Sequence, residues 1–165
     1  MSAQPSDSKA FRNALGQFAT GVTVITTLDA EGNKIGMTAN SFSSVSLDPM
    51  LVLWSIAKTS RSFEAFVEAR QFAIHILAAD QKVLSGQFAS NCADRFCDVP
   101  HHDGLGGVPV LDDYSAVFQC ETECRYEGGD HIIIVGRVIA FDNRGKAPLI
   151  FHAGRYADLD LPVAV

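Results

Sequence analysis

No uninterrupted apolar run in this 165-residue chain approaches the ~20 residues that cross a bilayer. The richest one, Ile132 to Phe141, is broken by Gly136 and Arg137. The N-terminal stretch, Met1 to Ala10, is polar and lacks the apolar core of a secretion signal. Together these absences argue against a membrane partner and make the cytoplasm the expected location. Positive charge is scarce too: 13 Lys and Arg stand against 19 Asp and Glu, a formal net charge of -6. No broad field therefore draws nucleic acid or an anionic surface to the chain. An anionic cofactor remains admissible, because it needs only a local cluster of N–H groups, hydroxyls and one or two cations.

Several motifs are missing as well. The four cysteines, at 92, 97, 120 and 124, form no C-x-x-C pair. Cys92 and Cys97 lie close in sequence to His101 and His102, which raises zinc as an option. The favoured reading is reduced, partly buried thiols and no metal. No G-x-S-x-G elbow supplies a hydrolytic nucleophile, and no phosphate-loop G-x-x-x-x-G-K-[ST] occurs. Gly104-Leu105-Gly106-Gly107-Val108-Pro109 is expected to follow no strand and runs into proline, so it does not read as a dinucleotide fingerprint. Any nicotinamide or flavin must bind outside a Rossmann fold.

What is present reads as one domain over residues 1–165, with an ordered core over about 8–160. Hydrophobic residues make up 47% and charged residues 19%, enough apolar material for one core. Phe11, Leu15 and Phe18 recur at helical spacing, so a helix is expected from Ser8 to Phe18, capped by Ser8 and ended by Gly21. Val22 to Leu28 and Lys34 to Ala39 flank a turn cluster and read as a hairpin. Asn40 to Ser46 reads as a hydroxyl-rich loop and Met50 to Ile56 as a strand. A helix from Ser62 to Arg70 and a strand from Gln71 to Leu77 follow. Asp80 is the expected cap of a short helix toward Phe88. Residues 89–111, rich in Gly, Pro, Asp and His, read as a long functional loop. Ser115 to Tyr126 and His131 to Phe141 are long strand patterns joined by the turn signal Glu127-Gly128-Gly129-Asp130, and Leu149 to His152 is a last strand. Many strands with short antiparallel connections predict a mainly β fold, a closed barrel with a few short helices.

Four clusters could carry chemistry. Thr38-Ala39-Asn40-Ser41, followed by Ser43 and Ser44, offers small residues and hydroxyls to a hydrogen-bonding ring edge or a phosphate, though alone it reads rather as a polar surface turn. Ser55-Ile56-Ala57-Lys58-Thr59-Ser60-Arg61-Ser62 sits where a strand gives way to a helix. It can be a phosphate cradle or equally an ordinary helix start with solvated basic neighbours. Gly128-Gly129-Asp130-His131 lies at the hairpin. Neighbours on a strand face opposite ways, so Asp130 is not expected to orient His131. Gly154-Arg155-Tyr156 could cover a planar ligand, or simply anchor the tail. His75 alternates with apolar neighbours and reads as a satisfied strand histidine.

The order of these segments resembles the short-chain flavin reductase family, the reductase components of two-component flavin-dependent monooxygenases. Phe18-Ala19-Thr20-Gly21-Val22-Thr23-Val24-Ile25-Thr26 resembles its opening strand. Gly36-Met37-Thr38-Ala39-Asn40-Ser41-Phe42-Ser43-Ser44-Val45-Ser46-Leu47-Asp48-Pro49 is similar to its flavin loop, and Gly129-Asp130-His131 precedes a strand as it does there. The likeness runs from about Phe11 to Leu159. It implies a split β-barrel of Greek-key-like antiparallel strands, a homodimer, and FMN or FAD bound without a covalent link. It implies hydride transfer from NADH (NADPH as the lesser option) and delivery of reduced flavin to a partner monooxygenase. Thr38, Ala39, Asn40 and Ser41 would then contact the ring and its chain. Ser44, Ser55, Ile56, Ser60 and Arg61 would lie along ribityl and phosphate, and Phe88, in Gly86-Gln87-Phe88-Ala89, near both ligands. His131, Arg155 and Tyr156 would lie on the nicotinamide side, with no side chain strictly required as a proton shuttle. Ser55 stands where many members have Cys. Two alternatives stay open: a split-barrel flavoprotein that keeps its FMN and reduces another acceptor such as a ferric complex, and a flavin carrier without turnover.

Overall fold

The structure, a computed structural model, describes residues 7–159. Asp160 of the expected core and Met1 to Ser6 of the polar N-terminal stretch lie outside the described residues. Helix α1 spans Ser8–Leu15. Asp7 rather than Ser8 caps it, the carboxylate accepting from Ala10 N–H at 2.9 Å. It stops at Gly16, well before Gly21. Strands β1 (Thr20–Gly21), β2 (Thr23–Leu28) and β3 (Lys34–Ala39) follow. Next come β4 (Ser43–Leu47), β5 (Met50–Ala57), α2 (Phe63–Glu68) and β6 (Gln71–Ile76). The stretch Asn40 to Ser46, expected as loop, is thus strand from Ser43 onward, because backbone pairing with β5 outweighs its serine-rich composition.

Helix α3 spans Lys82–Ala89, with Gln81 and not Asp80 at its cap position and no side-chain cap bond. The Gln81 side chain instead accepts from Ala78 N–H and donates to the Asp113 carbonyl. Residues 89–111, expected as irregular loop, contain β7 (His101–Asp103) paired with β8 (Pro109–Leu111). The long hairpin β9 (Ala116–Gly128) and β10 (His131–Asn143) turns over Gly129 and Asp130, with Gly129 at φ +74°. The chain continues through β11 (Ile150–His152) and β12 (Arg155–Ala157), which pair with each other, and β1 pairs with β11.

The main sheet has the order β3-β2-β6-β9-β10-β5-β4, all pairs antiparallel, with the β9–β10 hairpin inserted between β6 and β5. Its two edges, β3 and β4, are joined by only three residues, 40–42. Laid flat, seven strands would hold those edges about 29 Å apart, at roughly 4.8 Å per strand. Three linking residues reach less than about half of that. The sheet therefore curls on itself, without pairing β3 to β4. The fold is a split barrel, not the closed barrel expected from strand count.

Strand alternation divides the interior. Ile25, Trp54, Ile56, Phe72, Ile74 and Ile134 fill the barrel. On the other face of β2, Val24 packs with Val22, Leu77, Phe96, Leu149 and Phe88 of α3 in a second cluster. This double burial explains why β2 reads as a nearly continuous buried run.

Candidate active site

Some of the expected residues gather beside the edge strand β3 and the links around it. Ser41, between the edge strands, ties itself to β5: its hydroxyl accepts from Ser55 N–H at 2.9 Å and donates to the Ser55 carbonyl at 3.1 Å. Backbone groups alternate sides along a strand, so those of Ile56 face β10, where it pairs with Ile132. The Ile56 side chain is fully buried in the barrel. Ile56 is thus a core residue that presents no free group to a ligand. Ser44 is exposed on β4, opposite Val52.

Beyond β5 the chain turns sharply. Ser60 N–H donates to the Ala57 carbonyl, and Ser62 N–H donates to the Ser60 hydroxyl at 3.2 Å. The β9–β10 turn braces this loop, because the Asp130 carbonyl accepts from Lys58 N–H at 2.9 Å. Lys58, expected to add charge to a phosphate cradle, instead pairs with Glu127 at 2.6 Å. Arg61 faces a cavity of about 350 Å³ that also receives Thr38 from β3, Ser60 from the loop and Phe88 from α3. Four expected residues from three separate segments thus meet at one place. Phe88 can lie there because residue 36 is glycine: a Cβ on Gly36 would collide with its ring.

Arg95 completes this cavity and was not among the expected residues. Its guanidinium donates to the Ser90 carbonyl and to the Gly36 carbonyl, fastening residues 90–95 to β3. A second cavity of about 360 Å³ adjoins the first, shares Arg61, Asn91 and Arg95 with it, and adds Lys34. Among the described residues no carboxylate lines either chamber. In a chain of net charge -6, this concentrates cations where an anion could bind. In sequence Arg95 offers only Asp94-Arg95-Phe96 within a loop-like stretch, and its partners are far away along the chain.

Asn40 faces the other way. With Leu15, Phe18, Thr20, Phe151 and Gly154 it lines a largely apolar cavity of about 690 Å³, one wall of which is the β11–β12 hairpin. Tyr156 stands on that hairpin, its ring 5.8 Å from Phe151. Its hydroxyl donates to the buried Ser85 hydroxyl of α3 at 2.9 Å. Ser85 also accepts, through its carbonyl, from the Thr38 hydroxyl at 2.7 Å. Arg155 is exposed opposite His152. Neither His131 nor Arg155 lines the cavity that holds Thr38.

His131 opens β10 opposite Ala57. Its Nδ1 lies 2.7 Å from the Asp130 carboxylate, contrary to the expectation that Asp130 could not orient it. The strand rule fails because Asp130 belongs to the turn. This bond holds the Asp130 carboxyl below its usual pKa. The cysteine-rich stretch is occupied otherwise than by metal geometry: His101 sits between Lys34 and the Val99 carbonyl, and His102 pairs with Asp112. Cys92 and Cys97 are exposed thiols, while burial pushes the Cys120 thiol up to about 12. His75 is the satisfied strand histidine expected of it, bonded to the Val24 carbonyl at 3.0 Å and to Leu111 N–H at 3.1 Å.

Comparison with known proteins points the same way. The profile of the flavin reductase like domain matches residues 15–160. The FMN reductase (NADH) SmoA of Agrobacterium fabrum is 51% identical over 150 residues, covering 91% of this chain and 85% of that protein. The reductase component of the flavin-dependent trigonelline monooxygenase of Acinetobacter baylyi is 46% identical over 145 residues, 88% of this chain and 47% of that one. The chain spans about half the length of some curated relatives that it matches. Among solved structures, the NADH:FAD oxidoreductase SgcE6 of Streptomyces globisporus, in complex with NAD and FAD fragments, superposes with a TM-score of 0.90 at 34% identity, covering 96% of each chain.

Proposed function

The chain belongs to the flavin reductase like domain family, and on that premise we propose that it transfers hydride from NADH to FMN or FAD and delivers the reduced flavin to a partner monooxygenase in the cytoplasm. The observation that carries this reading is the carboxylate-free cleft in which Thr38, Ser60, Arg61, Phe88 and Arg95 converge. The residues suit a flavin. Arg61 and Arg95 would hold a phosphate, Thr38 and Ser60 would meet ribityl hydroxyls, and Phe88 and Met37 would offer an apolar surface. Bound flavin supplies an electrophilic ring nitrogen that takes hydride from the nicotinamide, with a proton from water.

The protein contributes contact and exclusion of water more than proton transfer. Thr38 gives its proton to the Ser85 carbonyl, so it meets a ligand as an acceptor. His131, held by Asp130 beside the braced loop, is the polar group we assign to the nicotinamide side, with Arg155 and Tyr156. We take the working unit to be a homodimer. In support, α1 buries none of its residues and leaves Phe11 and Leu15 exposed. Val45, Leu47 and Met50 on the β4–β5 hairpin are uncovered as well. Apolar surface of this kind is what a second copy covers.

The assay is direct. Purified protein is mixed with NADH and free FMN or FAD, and the nicotinamide absorbance is followed. Oxidation that depends on added flavin is expected, and its absence would overturn the reading. Oxidation by tightly held flavin alone would replace it with a flavoprotein acting on another acceptor. Yellow protein without turnover would replace it with a carrier.

A further inference from the structure

Ser85 is a polar side chain with no exposed surface, one turn before Phe88 on α3. It is bonded toward the walls of two cavities that share no lining residue. Through its carbonyl it takes the proton of Thr38, which lines the cation-bearing chamber. Through its hydroxyl it holds Tyr156, on the hairpin that walls the apolar chamber of Phe18, Asn40 and Phe151. Among the described residues, β12 pairs only with β11, and β11 otherwise only with the two residues of β1. The hairpin therefore has little sheet to hold it: Ala153 N–H donates to the Gly16 carbonyl, Lys82 of α3 reaches the exposed Asp158 just past β12 at 3.4 Å, and Tyr156 to Ser85 is the tie that ends on a buried group of α3.

We propose that Ser85 is a positioning residue that fixes the two chambers at one spacing, and so sets the approach of the two ligands between which hydride passes. The proposal rests on the flavin reductase reading. Hydride transfer needs its two reacting atoms about 3–3.5 Å apart, so a small drift of one wall costs rate before it costs binding. Ser85 touches neither ligand. It acts through Thr38 and Tyr156.

The test uses the full chain as Ser85→Ala, Tyr156→Phe and the double variant, in three measurements. In ligand-free protein, amide hydrogen exchange over residues 150–157 is expected to quicken in each variant. Flavin affinity, titrated by fluorescence, is expected to stay within about twofold, because Thr38 keeps its carbonyl partner. Single-turnover hydride transfer is expected to slow about three- to tenfold, the range for one lost hydrogen bond. The isotope effect with 4-deuterated NADH is expected to rise on turnover. The double variant is expected to be no worse than either single, since both remove the same bond. Unchanged exchange with unchanged hydride transfer would overturn the proposal. So would losses that add in the double variant, or a slowing that merely tracks the folded fraction with the isotope effect constant. Tyr156→Phe keeps the test open even if Ser85→Ala folds poorly. A wild-type chain that does not oxidise NADH with flavin sinks the functional reading instead, while the exchange measurement still reports on the anchor.

Discussion

Two histidines, His75 and His131, meet opposite environments and carry different predictions. His75 is wholly buried, and burial is the main force pulling its pKa down to about 4. The unfolded chain binds that proton near pH 6.5 and the folded chain only near pH 4. Its stabilisation is therefore complete above pH 6.5 and is lost as pH falls toward 4, where the unfolded state holds more protons. Denaturant unfolding at pH 7 and pH 5 is expected to differ by about 2 kcal/mol from this residue alone. His75→Gln removes that part of the difference while lowering stability at pH 7. At the mobile-ligand end, His131→Ala is expected to raise the KM for NADH several-fold, with kcat within a few-fold and flavin affinity unchanged. Loss of flavin affinity with normal use of NADH would remove His131 from the nicotinamide side. Arg95 shows what residue reading misses. Three of its five N–H donors go to the carbonyls of residues 36 and 90, and no local pattern announces a bond between a loop and a strand 59 positions away.

Among the elements, legibility followed the strength of the local pattern. β3 matches its expected span, and the β9–β10 hairpin turns where Gly129-Asp130 says it should, because alternation and turn chemistry act over a few residues. β4, β7, β8 and β12 were not legible. Each is three to five residues long, and its existence depends on the partner that pairs with it. The closure was read one step too far for the same reason, since seven strands do not say whether the edges pair. Ser41 fastens the short link between those edges to β5. Ser41→Ala hands the Ser55 N–H and carbonyl to water at this exposed edge and is expected to cost about 0.5–1.5 kcal/mol. A lower denaturant midpoint with an unchanged slope checks this. Flavin affinity should fall with it, since the neighbouring strand end carries Thr38.

For the whole molecule, a chain of net charge -6 gathers Lys34, Arg61 and Arg95 into adjoining chambers, and leaves Leu47 91% exposed at a hairpin tip. The second feature predicts association. Sedimentation of the wild-type chain should give the mass of two copies, and Leu47→Asp should shift it toward one, with turnover per chain reduced if the partner shapes the apolar chamber. A wild-type mass of one chain would end the dimer proposal without touching the flavin site. The central claim is that the cation-lined cleft beside the edge strand β3 is where the flavin phosphate binds. Arg61→Ala tests it most directly, because Arg61 lines both chambers and makes no other side-chain bond among the described residues. Removing one charge-assisted bond to phosphate costs about 1.5–3 kcal/mol. The account predicts that the variant's dissociation constant for FMN, titrated by flavin fluorescence, rises about ten- to hundredfold, while riboflavin, which lacks the phosphate, binds as it does to wild type. Equal FMN affinity in wild type and variant would contradict it.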